Sequence, residues 1–286
     1  MIRPELMAIV TAMSYAGSDT LGRVGLKTST PATGVAVTSL VNAVLLWVIS
    51  LITVPASAYR LSNLWLFFLD GILVQALARL CLYTSMKRIG LPRTSAIAGS
   101  TPVFAVLIAI FFLHEAFTVF VLAGAVLIAL GIFLVSERGK TKSFRYWDLL
   151  FPLVTAVLYG LSPNLRKLGF AYLDYPVLGA AVSTTMSFPS LLIMTRPWGG
   201  GRQMVFNRHA VVFYALAGTA STLGLFMYFS AIQMGQVVII GPLASTATIF
   251  VALYTHLFLQ QFEQFTKRIL LGAFAVVAGA FLVIIK

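Results

Sequence analysis

Apolar runs of about 20 residues follow one another along almost the whole chain, separated by short joints that carry charge, glycine or proline. A helix needs about 20 apolar residues to cross roughly 30 Å of bilayer hydrocarbon. Only 10% of the residues are charged, whereas soluble domains carry about 25%. The sequence therefore predicts an all-α membrane protein and argues strongly against a soluble one.

Comparing each run with the length of a spanning helix predicts ten transmembrane spans. They cover residues 5–26, 32–54, 64–86, 93–113, 118–136, 148–170, 175–195, 209–232, 236–258 and 267–285. Two joints, 137–147 and 196–208, are long enough to be loops, but neither could form an independent domain. Residues 1–286 are thus expected to form a single transmembrane domain.

The second half of the chain repeats the first. Identical residues at an offset of 144 are Thr11, Ala12, Tyr15, Ser18, Leu21 and Gly25 against Thr155, Ala156, Tyr159, Ser162, Leu165 and Gly169. Further matches pair Tyr83 with Tyr228 and Gly131 with Gly279. The duplication predicts repeat 1 over 1–136, a basic connecting loop over 137–147 and repeat 2 over 148–286. Because each repeat has an odd number of spans, the two repeats are expected to be inverted in the membrane.

A short ordered motif covers spans 4 and 5. Pro102 is followed by Leu113-His114-Glu115, and then by Gly124 and Gly131 with six residues between them. Together with ten spans and inverted halves, this pattern resembles the EamA-type transporters of the drug/metabolite transporter superfamily, along essentially the whole chain. In repeat 2 the motif is weaker, because Pro242 lies nearer the start of its span and the Leu-x-Glu element is stretched.

The resemblance implies a ten-helix bundle, a monomer or weak homodimer, that spans the cell (inner) membrane several times. It also implies a protein that moves small organic solutes, often outward, and that is not an enzyme. In the related small multidrug transporters, a glutamate on the first helix stands eight residues before a lysine and binds protons and cations. Here Tyr15 stands eight residues before Arg23, so proton-driven export of lipophilic cations is not expected.

The sequence carries no pattern for metal, cofactor or nucleic-acid binding. The single cysteine, Cys81, and the three histidines lack the spacing of metal ligands, and no nucleophile or phosphate-binding motif occurs. The net charge of +12 comes mostly from the joints between spans, which membrane topology explains better than a nucleic-acid partner. We therefore predict no metal and no cofactor, and only a small-molecule substrate and membrane lipid as partners.

Polar side chains share one face on several spans. On span 1, Tyr15, Ser18 and Asp19 follow helical spacing, and span 6 repeats the face with Ser162 and Arg166. Such a stripe belongs against protein or a water-filled cavity, not lipid. The candidate substrate-binding residues are Tyr15, Ser18, Asp19, Asn42, Gln75, Arg79, Tyr83, Tyr159, Ser162 and Tyr228. The alternative for each hydroxyl or amide is a hydrogen bond that only joins two helices.

Asp19 and Arg79 are the most specific candidate pair of oppositely charged residues inside the predicted spans. A charge at the bilayer centre costs about 2.5 to 3.5 kcal/mol even on a lenient insertion scale, so neither is expected to stand alone. Asp19 lies eight residues before Lys27 and Arg79 eight before Lys87, which places both about 12 Å below the same surface. We expect the two side chains to meet. A structural ion pair and a role in substrate binding or gating both fit this pattern.

These features favour a secondary transporter that moves a small organic metabolite by alternating access, with an amino acid or similar zwitterion as the leading substrate class. Four tyrosines, Tyr15, Tyr83, Tyr159 and Tyr228, are expected to face a common central cavity. A second hypothesis is an organic anion or phosphate ester held by Arg79, with Arg23 and its repeat counterpart Lys167 as symmetry-related helpers. A third, from another class, is a non-transporting membrane scaffold or a lipid-handling protein.

The positive charge of the joints predicts the membrane topology. One side would carry twelve basic residues, Lys27, Lys87, Arg88, Arg138, Lys140, Lys142, Arg145, Arg196, Arg202, Arg208, Lys267 and Arg268. The other side would carry three, Arg3, Arg60 and Lys286. Because short basic joints stay in the cytoplasm, both termini are expected to face outward, whereas many EamA-type relatives look terminus-in.

Overall fold

A computed structural model describes residues 3–89, 94, 97, 98, 100–114, 118–135, 146–195, 204–258, 271, 272, 274–276, 278, 279 and 282. Within these residues the chain forms helices and turns, with no strand. Glu115, its repeat-2 counterpart Glu263 in the stretched Leu-x-Glu element, and most of the connecting loop lie outside the described residues. The prediction of an all-helical protein is confirmed.

The structure has nine helices in the ranges described up to residue 258. They are α1 (Pro4–Leu26), α2 (Pro31–Thr53), α3 (Trp65–Ile89), α4 (Thr101–Leu113), α5 (Val119–Val135), α6 (Leu150–Gly169), α7 (Pro176–Thr195), α8 (Arg208–Met234) and α9, which consists of Val237–Ser245 and Ala247–Phe258. Short 3-10 turns cover Ala56–Ala58, Leu61–Asn63 and Tyr146–Leu149. The described residues beyond 270 are helical and belong to the tenth predicted span.

Among the described residues, five helical segments are long and apolar enough to cross a membrane, by length and composition. They are Pro31–Thr53, Trp65–Ile89, Tyr146–Gly169, Pro176–Met194 and Arg208–Met234. Helices α4, α5 and the first part of α9 are shorter apolar helices. The multi-pass class is thus supported, while the count of ten spans stays a prediction.

Helix packing repeats when the two halves of the chain are exchanged. Helix α1 packs on α8 and α9, and its counterpart α6 packs on α3 and α4. Likewise α2 packs on α8, as α7 does on α3, while α2 also packs on α7 and α4 on α9. Each of the two resulting bundles, α1–α8–α9 and α3–α4–α6, therefore combines helices from both repeats. This exchange symmetry is what the internal duplication predicts.

Close helix approach depends on glycine at one symmetric contact. A Cβ on Gly131 of α5 would lie 2.7 Å from the Gly272 carbonyl oxygen, and one on Gly279 would lie 2.7 Å from the Gly124 carbonyl oxygen. Both obstacles are backbone atoms, which cannot rotate away. Two glycines that the repeat matches with each other thus hold equivalent positions at one helix interface.

Helix α3 contains a π-helical segment, Gly71–Ala78, between two α-helical parts. Two of its carbonyls accept hydrogen bonds from neighbouring helices, Gln75 from the Ser187 hydroxyl at 3.1 Å and Ala78 from the Thr155 hydroxyl at 3.2 Å. Segments with i→i+5 bonds are rare and occur frequently at functional sites. This segment separates Asp70 from Arg79, two charged residues inside the same helix.

Candidate functional site

A cavity of about 220 Å³ lies between the bundles α1–α8–α9 and α3–α4–α6. Its described lining residues are Tyr15, Asp19, Arg23, Val74, Gln75, Arg79, Leu82, Met86, Ala98, Thr101, Tyr159, Ser162, Arg166, Leu225, Tyr228, Gly241, Ala244, Ser245, Ala247 and Val251. An engineered cavity of about 150 Å³ binds benzene. The space is therefore large enough for one small organic molecule.

Helical spacing places the polar side chains of α1 and α6 on the cavity wall. Tyr15, Asp19 and Arg23 recur every four residues on α1, so they form one stripe. On α6, Ser162 and Arg166 line the same cavity. The fold thus brings Tyr15 and Asp19 of the face deduced for α1 together with the face deduced for α6, but not Ser18.

The structure brings seven of the ten predicted site residues to the cavity, namely Tyr15, Asp19, Gln75, Arg79, Tyr159, Ser162 and Tyr228. Three of the four tyrosines expected there line it, and the rings of Tyr15 and Tyr228 meet edge to face with centroids 6.3 Å apart. Whether these residues bind substrate stays a prediction.

Asp19 and Arg79 face the same cavity without forming the expected ion pair. No nitrogen of Arg79 lies within 4.0 Å of a carboxylate oxygen of Asp19 in the described structure. The two groups are nevertheless near enough for their charges to attract each other. Both therefore present their polar ends to the cavity, and the prediction of a direct pair is wrong for this conformation.

The buried ion pair of the site joins Asp70 of α3 to Arg166 of α6. The Arg166 Nε donates to Asp70 Oδ1 and its Nη2 donates to Oδ2, both at 3.1 Å, which is the bidentate geometry of a guanidinium and a carboxylate. The Ser162 hydroxyl donates to Asp70 Oδ1 at 2.8 Å. Both side chains are almost fully enclosed, with 3% exposure for Arg166 and 0% for Asp70.

Aromatic rings pack against the Arg166 guanidinium and against one another. The Arg166 guanidinium carbon lies 4.1 Å from the centroid of the Phe229 ring and 5.3 Å from that of Tyr228. Phe67 and Phe170 pack against each other with centroids 5.3 Å apart, and each also contacts Phe229. Stacking on aromatic faces stabilises a guanidinium that has left water.

Tyr83, Ser18 and Asn42 are not brought to the cavity lining. A Cβ on Gly22 would lie 2.9 Å from the Tyr83 hydroxyl oxygen, so Tyr83 fills space left by a glycine of α1. Ser18 is buried with 1% exposure on α1. The Asn42 amide lies within hydrogen-bonding distance of two hydroxyls on α8, those of Ser221 and Thr222, which is the helix-joining alternative.

Sequence reasoning missed Asp70. A charged residue inside an apolar span is itself a functional signal, and Asp70 lies five residues before Gln75. It was missed because Asp70 and Arg79 are nine residues apart. In an ideal α-helix that spacing is two and a half turns, which places the two residues on opposite faces. The π-helical segment of α3 changes that relation, because its wider turns use more residues for the same rotation.

The charges of the cavity do not follow the repeat. At the offset of 144, Asp19 corresponds to Pro163, and at the offset of 145, Arg79 corresponds to Gly224. A Cβ on Gly224 would lie 2.8 Å from Tyr15 Cδ1, so this glycine makes room for a cavity side chain. The fold is symmetric and Tyr15 is matched by Tyr159, but the charges of Asp19 and Arg79 have no counterpart in the second repeat.

Metal-binding residues are not grouped in the part of the chain that the structure describes. No three or more His, Cys, Asp or Glu side chains come together there in a way that could hold a metal ion. The carboxylates of the site instead face arginines.

Comparison with known proteins agrees with the helical packing. The EamA-like transporter family matches residues 2–137 and 145–285 in two consecutive blocks. A solved crystal structure, described only as that of a protein, superposes with a TM-score of 0.81 at 15% identity, covering 99% of this chain and 98% of the other. At that identity the likeness concerns the fold alone. No curated protein matches the chain. Because the family match covers nearly the whole sequence in two repeats, this multi-pass membrane protein belongs to the EamA-like transporter family within the drug/metabolite transporter superfamily.

Proposed function

We propose that the protein is a secondary transporter that carries a small zwitterionic metabolite, an amino acid or a close analogue, across the cell membrane by alternating access. Ten transmembrane helices in two inverted repeats would supply the two equivalent conformations that this mechanism needs. The exchange symmetry of the helix packing supports that arrangement. We expect net movement outward, from a protein that works as a monomer or weak homodimer in the inner membrane.

The observation that carries the proposal is the presence of Asp19 and Arg79 on the wall of one cavity without an ion pair between them. Opposite charges this near each other in a protein interior normally pair, because an unpaired charge away from water is costly. A zwitterion would bring its ammonium group to Asp19 and its carboxylate to Arg79. The ligand would then complete both electrostatic interactions.

Aromatic groups around these charges suit the same ligand. Tyr15, Tyr159 and Tyr228 line the cavity, where their hydroxyls can donate to a carboxylate and their ring faces can attract an ammonium group. The remaining wall contains apolar residues of α3 and α9, such as Val74, Leu82 and Val251. These would contact the carbon skeleton of the substrate.

An organic anion or phosphate ester is the second candidate substrate. Its support is Arg23, which adds a further guanidinium to the cavity wall. Lys167, the repeat counterpart of Arg23, does not reinforce this reading. Its Nζ donates to the carbonyl oxygens of Ile232, Gln233 and Gly235 at 2.7 to 3.2 Å, where it caps the end of α8.

Substrate counterflow in proteoliposomes tests the proposal. Proteoliposomes that contain the purified protein and are loaded with an unlabelled amino acid should transiently accumulate the same amino acid in labelled form. Arg79→Gln should abolish this uptake, because the substrate carboxylate loses its charged partner. Arg88→Gln is the matched control, since Arg88 lies on the same helix in an exposed pair with Asp148. Counterflow of organic anions alone would favour the second candidate, and no counterflow for any solute would support a scaffold or lipid-handling role.

A further inference from the structure

Three arginines line the cavity, and two of them, Arg79 and Arg166, differ in how their charges are balanced. Arg79 forms no ion pair among the described residues, whereas Arg166 is neutralised by Asp70 behind it. Two of the five N–H groups of Arg166 are used by Asp70. Tyr15 lies within hydrogen-bonding reach of the guanidinium, and the N–H groups beyond those used by Asp70 and Tyr15 have no other acceptor among the described residues. The guanidinium therefore keeps donors for a ligand while its charge is already compensated.

From this difference we infer that Asp70 and Arg166 determine substrate specificity, and that they select a zwitterion whose side chain ends in an uncharged oxygen acceptor such as an amide. This inference rests on the proposed transport function. Arg79 and Asp19 take the charged groups of the substrate, and Arg166 donates hydrogen bonds to the side-chain oxygen. Asp70 acts as the positioning residue, because it fixes the guanidinium plane and removes its net attraction for a second carboxylate.

The position of Tyr15 supports a single ligand that reaches both arginines. Tyr15 lines the cavity and lies within electrostatic range of Arg166 and of Arg79. Ser162, which donates to Asp70, also lines the cavity. A ligand held at Arg79 and Asp19 therefore has its side chain directed along a polar wall that ends at the neutralised arginine.

The inference predicts discrimination against both a charged and an apolar side chain. A second carboxylate would have to give up its hydration without gaining an unbalanced positive charge. An aliphatic side chain would leave the remaining donors of Arg166 without an acceptor. Amide side chains avoid both penalties, because a carbonyl oxygen accepts the donors and carries no net charge.

Glutamine, glutamate and leucine, which are similar in size, are the probes for a counterflow competition experiment. Wild-type protein should favour glutamine over each of the other two by about tenfold or more, as expected for one hydrogen bond to a charged donor. Asp70→Asn should shift the ratio toward glutamate through KM, because it frees the charge of Arg166. A merely structural Asp70 would lower uptake of all three substrates equally.

A second variant covers the case in which Asp70→Asn fails to fold. The double variant Asp70→Leu with Arg166→Met replaces the pair by apolar side chains and should transport leucine while losing the preference for glutamine. Equal uptake of glutamine and glutamate by the wild type, or a glutamine preference retained by the double variant, overturns the inference. If the wild type moves other solutes but none of these three, the inference fails and the proposed transport function stands; if it moves no solute, both fail.

Discussion

The buried Asp70–Arg166 pair allows a stability prediction that does not depend on any substrate. Asp70→Asn removes the carboxylate but leaves the Arg166 guanidinium enclosed, with 3% of its side chain exposed. Breaking a buried ion pair from one side typically costs about 3 to 5 kcal/mol, because an uncompensated charge stays away from water. We expect Asp70→Asn to lower the free energy of unfolding by an amount in this range.

A second ion pair between α3 and the start of α6 provides the matched control. Arg88 Nη1 lies 2.6 Å from Asp148 Oδ1, and 38% of the Arg88 side chain and 14% of the Asp148 side chain are exposed. Exposed pairs contribute about 0 to 1 kcal/mol, so Asp148→Asn should change stability much less. The two variants remove the same chemical group, in one case from a fully buried bidentate pair and in the other from a partly exposed pair.

Unfolding in mixed detergent micelles, followed by tryptophan fluorescence or circular dichroism, measures both effects. The double variant Asp70→Leu with Arg166→Met should recover most of the stability lost in Asp70→Asn, because apolar residues can replace a buried pair without leaving a charge behind. If Asp70→Asn and Asp148→Asn cost the same, burial is not what gives the first pair its importance, and the reasoning is refuted.

Three further predictions follow from other parts of the structure. Gly34→Ala should lower the free energy of unfolding by about 1 to 3 kcal/mol, because its Cβ would lie 2.8 Å from Tyr83 Cε2; unchanged micelle unfolding would contradict this. Gly224→Val should reduce counterflow at unchanged expression by displacing the Tyr15 ring into the cavity, and normal uptake would argue against that packing. A phosphatase fused after Lys286 should be active outside the cytoplasm. Cytoplasmic fluorescence of a fused reporter, without phosphatase activity, would show that the C-terminus lies in the cytoplasm and that the predicted orientation is wrong.

The fold was accessible from the sequence because its determinants are local and repeated. Apolar runs of spanning length define where helices form, and matches such as Tyr15 with Tyr159 reveal the duplication without any knowledge of contacts. The same regularity allowed most of the cavity face of α1 to be assigned from helical spacing. Packing partners then followed the symmetry of the repeats.

The arrangement of the charged residues in the cavity was harder to predict from the sequence, because it follows neither the internal duplication nor ideal α-helical spacing. Asp19 and Arg79 have no counterparts of like charge in the second repeat, so the duplication gives no information about their partners. Depth in the membrane correctly placed both on the same cavity, but depth does not determine whether two side chains make contact. The partner of Arg166 was hidden because ideal α-helical geometry places Asp70 and Arg79 on opposite faces.

The π-helical segment Gly71–Ala78 is the reason that the single helix α3 can contribute both the partner of Arg166 and the cavity residue Arg79. Asp70 holds Arg166 from one end of this segment, and Arg79 lines the cavity from the other end. Removing a single residue between them would favour ordinary α-helical winding and rotate one charge away from the cavity, while the length and hydrophobicity of the span would hardly change. The electrostatic design of the site is therefore encoded in residue count as well as residue identity, and an alignment column with a one-residue gap in this helix would mark relatives with a different polar centre.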